Sequence, residues 1–326
     1  MILKEITTAG INWAQSNKTD RPWKSLCVTP TGRIIAGSNR FIWYSDDNGI
    51  NWTRLNNTDM TWWSLCVTPT GRIIAGSDGA GSWYSDDNGI NWVQSNTTDR
   101  QRDWHSLCVT PTGRIIAGSY TVGIWYSDDN GINWAQSNKT NEIWWTLCVT
   151  PTGRIIAGGS GTGIWYSDDN GTNWAQSNET DGHWYSLCVT PTGRILASRY
   201  AAGIRYSDDN GINWAQSNNT DRYWTSICVT PTGRIIACSE GLGIWYSDDN
   251  GINWAQSNNT DGDWNSLCVT PTGRIIAGGS GVYSTYGIWY SDAEYTPVCA
   301  KYLDQKGAQE IVTQFKAYCD SLVGGV

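Results

Sequence analysis

Apolar runs of four to seven residues alternate with clusters of Thr, Pro, Gly, Asn and Asp along nearly the whole chain. WKSLCVT (23–29) stops at the turn PTG and is followed by RIIAG (33–37). FIWYS (41–45) comes next after a short loop, and INWTRL (50–55) resumes after DDNG. Runs this short, rich in β-branched and aromatic residues and bounded by turn formers, predict strands. The pattern then repeats. Trp13, Trp52, Trp92, Trp134, Trp174, Trp214 and Trp254 follow one another in steps of 39, 40, 42, 40, 40 and 40 residues. A period of about 40 residues holding four strands is the signature of a propeller blade.

The count closes a ring. The chain offers seven first, seven second and seven third strands, but only six fourth strands follow an SDDNG turn. GINWAQS (10–16) supplies the seventh, and the last unit ends after its third strand at GIWYSD (287–292). The N-terminal strand is therefore expected to complete the last blade of an all-β, seven-bladed propeller spanning 1–292, leaving no open sheet end. A segment of different character, 293–326, follows.

Ser45, Asp47, Gly49 and Trp52 satisfy the pattern Ser-x-Asp-x-Gly-x-x-Trp. It recurs five more times, with Asp87, Asp129, Asp169, Asp209 and Asp249 in the acid position. The pattern resembles the Asp-box, the BNR repeat of sialidase-like β-propellers, and the resemblance implies a structural hairpin between third and fourth strands. The residues agree with that. Asn-Gly supplies positive φ in a tight turn, and an Asp there can accept backbone N–H bonds. A calcium loop of the EF type needs a Glu at its twelfth position, and none is present. Six near-identical acid pairs also lack the asymmetry of a catalytic site. Sialidases further use three arginines, a Tyr–Glu pair, an acid Asp and an early Arg-Ile-Pro. GRII recurs here without a following Pro, so the sialidase set is not expected.

Near-copies allow comparison within the chain. TPTG and SDDNG barely change, and both join strands at one face of the disk. The copies differ at the blade-to-blade and second-to-third strand connections, which emerge opposite. One Trp persists before each inner strand (Trp23, Trp62, Trp104, Trp144, Trp184, Trp224, Trp264) and reads as structural. The next position cycles through Lys24, Trp63, His105, Trp145, Tyr185, Thr225 and Asn265. Variation confined to one face and weighted toward aromatic and Arg residues has the composition of a recognition surface. The candidate ligand-binding residues are Lys24, Arg40, Trp63, His105, Tyr120, Trp145, Tyr185, Arg199, Tyr200, Arg222, Tyr223, Tyr283 and Tyr286. His105 and His183, the two histidines, lie in loops of different blades, so a Ser-His-Asp triad is not expected. Unique acids on this face are Asp103, Glu142, Glu240 and Asp263; a glycosidase would need two carboxyl groups at a set separation.

Composition narrows the partners. A net charge of −8 argues against nucleic acid, and no apolar stretch approaches the roughly 20 residues of a membrane span. Cys27, Cys66, Cys108, Cys148, Cys188, Cys228 and Cys268 occupy one repeated position, an odd set that builds neither a disulfide framework nor a zinc site. They read as small buried hydrophobes, while Cys238, Cys299 and Cys319 fall outside the pattern. No signal peptide is apparent, so synthesis in a bacterial cytoplasm is expected. No cofactor or metal is implied.

In the tail, Ile311, Phe315, Tyr318, Cys319 and Leu322 fall at helical spacing, predicting one amphipathic helix over 303–323. KYLDQKGAQEIVTQFKAYCDS resembles a segment of bacteriophage and prophage tail proteins. That resemblance implies attachment to other tail proteins or homo-oligomerisation, for instance as a trimer, and a place in the virion tail. The expectation is a non-enzymatic receptor-binding adhesin or lectin for cell-surface glycan. An Asp-box glycosidase and a protein-binding assembly scaffold are the alternatives.

Overall fold

The computed structural model describes residues 9–17, 21–55, 59–96, 103–139, 142–218, 222–258, 262–279 and 287–292. These residues form seven four-stranded antiparallel sheets. In blade one the strands are Trp23–Val28, Ile34–Ser38, Ile42–Ser45 and Thr53–Arg54, paired in chain order. Blades two to six repeat this. The seventh combines Trp264–Val269, Ile275–Gly279 and Ile288–Ser291 with the N-terminal strand Trp13–Gln15, in the register Trp13 to Ser291 and Gln15 to Trp289. The ring closes as its strand count requires. No helix occurs among the described residues, and the expected helix over 303–323 lies outside them.

The doublet in RIIAG builds the inter-blade layers. Ile34 packs with Trp23 and, from blade seven, Ile276 and Ile288; Ile35 packs with Trp62 of blade two. Each second strand is thus buried on both faces, which is why it reads as a continuous apolar run. The repeated Trp of the inner strand is 0–1% exposed in every blade, confirming its structural role. Burying a large apolar side chain contributes roughly 1.5–3 kcal/mol, so these layers dominate the stability.

The fourth strands are shorter than the sequence suggests: two residues, Thr53–Arg54, rather than 50–55. The Asp-box explains this. Asp47 accepts the Asn51 N–H at 2.8 Å and the Asn51 side-chain amide at 2.7 Å, which removes that stretch from the ladder. Ser45 Oγ donates to Asp47 at 2.8 Å and accepts the Gly49 N–H at 2.9 Å, while Trp52 Nε1 donates to the Gly49 carbonyl at 2.9 Å. Asn48 and Gly49 take φ of 58° and 85°, the positive values the turn demands. A Cβ on Gly49 would also stand 2.6 Å from Ile276 of blade seven. Desolvation would raise the Asp47 carboxyl, but the bonds from Asn51 and Ser45 outweigh it and hold the group below its ordinary value; Asp87, Asp129, Asp169, Asp209 and Asp249 behave alike.

A seventh, split box sits at the closure. Trp13 Nε1 donates to the Gly10 carbonyl at 3.1 Å, and the Asn12 amide reaches Asp292 at 3.3 Å. Ala293 stands in sequence where the other boxes carry their bonding Asp. Arg234 Nη1 secures the joint by donating to the Ala9 carbonyl at 2.8 Å.

Candidate functional site

The face carrying TPTG and SDDNG is held by one repeated latch. Arg33 donates to both oxygens of Asp46 at 2.7 and 2.8 Å, lies 4.3 Å from the Tyr44 ring centroid, and donates to the Asn88 carbonyl of the next blade at 3.1 Å. Thr29 Oγ1 is shared with Thr31 and the Arg33 carbonyl. Inside this rim a cavity of about 1000 Å³ opens around the ring axis, lined by Val28, Thr29, Pro30 and their equivalents in all seven blades. The face read from sequence as a plain scaffold therefore carries a symmetric, apolar cup.

The seven repeated cysteines lie on the inner strands and are half-buried rather than the buried hydrophobes expected, whereas Cys238 lies on the second strand of blade six. All eight described ones are free thiols. Burial pushes Cys27 and Cys148 up to about 12, which leaves them protonated and unreactive at neutral pH. Cys238, outside the sevenfold pattern, is fully buried beside Thr225 Oγ1 at 3.3 Å. Cys299 and Cys319 lie outside the described residues. No cluster of three or more His, Cys, Asp or Glu gathers for a metal among the described residues.

On the opposite face each inner strand begins with a β-bulge. In blade three Trp104 pairs with Ser119 and Ser106 with Gly118, leaving His105 as the extra residue. A bulge re-aims a side chain, and it falls on the position that varies from copy to copy. The bulged residues meet across blade boundaries. The Lys24 ammonium lies 4.7 Å from the Trp63 ring centroid, Trp63 stacks on His105 at 4.5 Å, and His105 stacks on Tyr120 at 5.2 Å. Burial pushes His105 down to about 4, with Asp103 opposing and Lys24 reinforcing the shift, so the ring is neutral at physiological pH.

A second arc begins in blade four. Trp145 meets Tyr185 at 4.6 Å and His183 at 6.0 Å; Tyr185 meets Tyr200 at 5.7 Å, and Tyr200 meets Tyr223 of blade six at 4.6 Å. Blades six and seven carry small polar bulge residues instead. Thr225 and Asn265 both bond to the carbonyl of the following blade's Trp, Trp264 and Trp23. Eight candidate residues thus fall into two aromatic arcs.

The remaining candidates sit elsewhere. Arg40 is exposed, 3.7 Å from Asp59, and Arg222 stacks on Trp245 at 4.0 Å. Arg199 borders the second arc, bonded to Asp181 at 3.0 Å and 3.9 Å from Glu179. Tyr283 and Tyr286 lie outside the described residues.

Several neighbours were not singled out as ligand contacts. His183 Nδ1 is 2.9 Å from Ser160 Oγ, and no carboxylate reaches ion-pair distance of His183 among the described residues. Burial raises the Asp78 carboxyl, and the neighbouring Asp103 carboxyl adds to the shift. Glu179 lies between Arg199 and Arg205, 3.8 Å from the latter. That pair was legible: GIRYS breaks the Trp of GIWYS, and SNET brings an acid where blade four has Lys139.

The family profile described as BNR/Asp-box repeat matches residues 43–54, 83–94, 125–136, 205–216 and 245–256. The blade-four copy falls outside these matches and carries Thr172 where the others have Ile, yet Asp169 there accepts the same bonds from Thr172 and Asn173. No curated protein matches the chain. Among solved structures, a catalytically inactive virginiamycin B lyase from Staphylococcus aureus is similar at 11% identity and TM-score 0.69, over 86% of this chain and 98% of that one. YCF48 bound to D1 peptide is similar at 16% identity and TM-score 0.69, over 88% and 96%. The extracellular domain of a two-component system from B. thetaiotaomicron is similar at 12% identity and TM-score 0.68, over 86% of this chain and 39% of that one. Identities this low speak for the propeller fold alone.

Proposed function

We propose that this protein is a non-enzymatic recognition propeller that binds cell-surface glycan through its variable face, as the adhesin or lectin of a phage or prophage tail. The supporting observation is the pair of aromatic arcs built by bulged residues of successive blades together with loop residues such as Tyr120, Tyr200 and Tyr223. Large amphipathic rings give contact area at low entropic cost, the usual chemistry of binding anchors. Tyr120, Tyr200 and Tyr223 are 42–45% exposed, leaving ring surface for a partner. The tail, 293–326, would attach the head to other tail proteins or to further copies of this chain. A glycan array tests the reading: binding is expected, and Trp63→Ala, Trp145→Ala or Tyr185→Ala should weaken it. No binding, or binding indifferent to all three, would sink it.

A protein-binding role is the second reading, favoured by the peptide held on the YCF48 propeller. Recovery of a protein partner with no response to glycans would favour it. The glycosidase alternative draws on Glu142, which lies 3.8 Å from Lys139, and Glu240. Turnover of fluorogenic glycosides that disappears on Glu142→Gln or Glu240→Gln would favour that one.

A further inference from the structure

We propose that the glycan taken by the variable face is anionic, with an acidic substituent paired to the Lys24 ammonium and a sugar ring against Trp63. This rests on the glycan reading of that face and adds a class of ligand to it.

Lys24 differs from most of the protein's other half-buried cations. Arg274 on the turn face also has no carboxylate at ion-pair distance among the described residues, but its guanidinium reaches the Asn48 carbonyl at 3.5 Å and the Tyr290 ring at 5.1 Å. Arg33 is fixed by Asp46, Arg199 by Asp181 and Glu179, Arg205 by Glu179, and Lys139 by Glu142. Lys24 has no carboxylate within ion-pair distance among the described residues; its ammonium lies over the Trp63 ring, 4.7 Å from the centroid. Burial lowers its pKa, the mark of a charge held away from water without a counter-ion. The backbone explains the placement: Lys24 is the bulged residue between Trp23 and Ser25.

The surroundings do not supply the missing charge. His105 beyond Trp63 is neutral at physiological pH, and the Asn265 amide is spent on the Trp23 carbonyl at 3.0 Å. Asp103, whose charge reaches His105, accepts the Gly79 N–H at 2.8 Å. In a chain of net charge −8, a partly desolvated ammonium on an aromatic ring is complementary to one acidic group on a ring-shaped ligand. A uronate carboxylate and a sulfate ester share that chemistry.

The experiment uses the full chain on an array of matched neutral and acidic glycans, followed by calorimetry with oligogalacturonate, its methyl ester and a sulfated galactan fragment. An acidic glycan should bind at least about tenfold more tightly than its neutral counterpart, the effect of one charge-assisted bond. Lys24→Met should reduce that preference to within about twofold, with an unchanged melting temperature, and Lys24→Arg should keep it. Whether uronate or sulfate gives the larger response identifies the source of the charge. Equal binding of neutral glycans, or a preference that survives Lys24→Met, overturns the inference while leaving the glycan reading standing. Absence of any glycan binding overturns both.

Discussion

The two faces of the disk use the same aromatic and cationic residue types in opposite ways. On the turn face, Arg33 and its equivalents in blades two to six stack on Tyr, chelate an Asp and reach into the next blade, so their polar groups are consumed within the protein. On the opposite face Lys24, Trp63, His105 and Tyr120 touch mainly through ring faces. The first arrangement tolerates little change, because each substitution would break a bond repeated around the ring. The second differs from copy to copy while the four-stranded blade stays the same, which is what a recognition surface requires. Uniformity marks the part that holds the fold, and diversity marks the part released from it.

The largest test of that division compares two aromatics of blade three. Trp104 is fully buried between blades, so Trp104→Ala should cost about 3–5 kcal/mol in denaturant unfolding. Tyr120, 43% exposed at the end of the first arc, should cost no more than about 1 kcal/mol on conversion to Ala. Comparable losses would mean that the arc is part of the core.

The Asp-boxes come next. Asp129 accepts the Asn133 N–H at 2.8 Å, the Asn133 amide at 2.6 Å and the Ser127 hydroxyl at 2.9 Å. Asp129→Ala should destabilise by about 1–2 kcal/mol and leave any glycan binding unchanged. The same bonds set an acid limit. The folded carboxyl lies below its unfolded value, so its stabilisation is complete above about pH 3.9 and is lost as pH falls through the lower folded value. His105 acts at higher pH. Its value drops from 6.5 unfolded to about 4 folded, so stability should begin to fall below about pH 6.5 and continue falling to about pH 4. His105→Gln should flatten that upper portion in a pH series of melting curves and leave the steeper acid limb in place; an unchanged upper portion would contradict the burial of this ring.

The ring architecture was legible because it repeats. The spacing of Trp13, Trp52 and their successors fixed the blade count, and the missing fourth strand identified the closure. The length of the fourth strands was not, because INWTRL reads as a strand while Asp47 captures the backbone of its first half. The variable positions could be found by comparing copies, but not their grouping. Nothing in the order Lys24, Trp63, His105, Trp145, Tyr185 announces that the stack runs on from His105 to Tyr120 and begins anew at Trp145. The bulge that aims these side chains leaves no residue signature of its own. The apolar cup on the turn face escaped for a related reason: Val28, Thr29 and Pro30 form a turn locally and a cavity wall only when seven copies surround an axis.

The finest test concerns two blades that solve one contact differently. In blade four, Lys139 lies over the Trp165 ring; blade five has Glu179 in the first position and Arg205 in the second, 3.8 Å apart. A cation–π contact has been exchanged for an ion pair, and both residues had to change together. Arg205→Trp alone leaves Glu179 facing an aromatic ring but still near Arg199, so the loss should be modest. Glu179→Lys alone sets three cations together and should cost more. The double variant restores the blade-four pair, and its stability should exceed the sum of the single effects by about 0.5–1 kcal/mol. Simple additivity in a double-mutant cycle would show instead that the two positions drifted independently and that Arg199 alone holds Glu179.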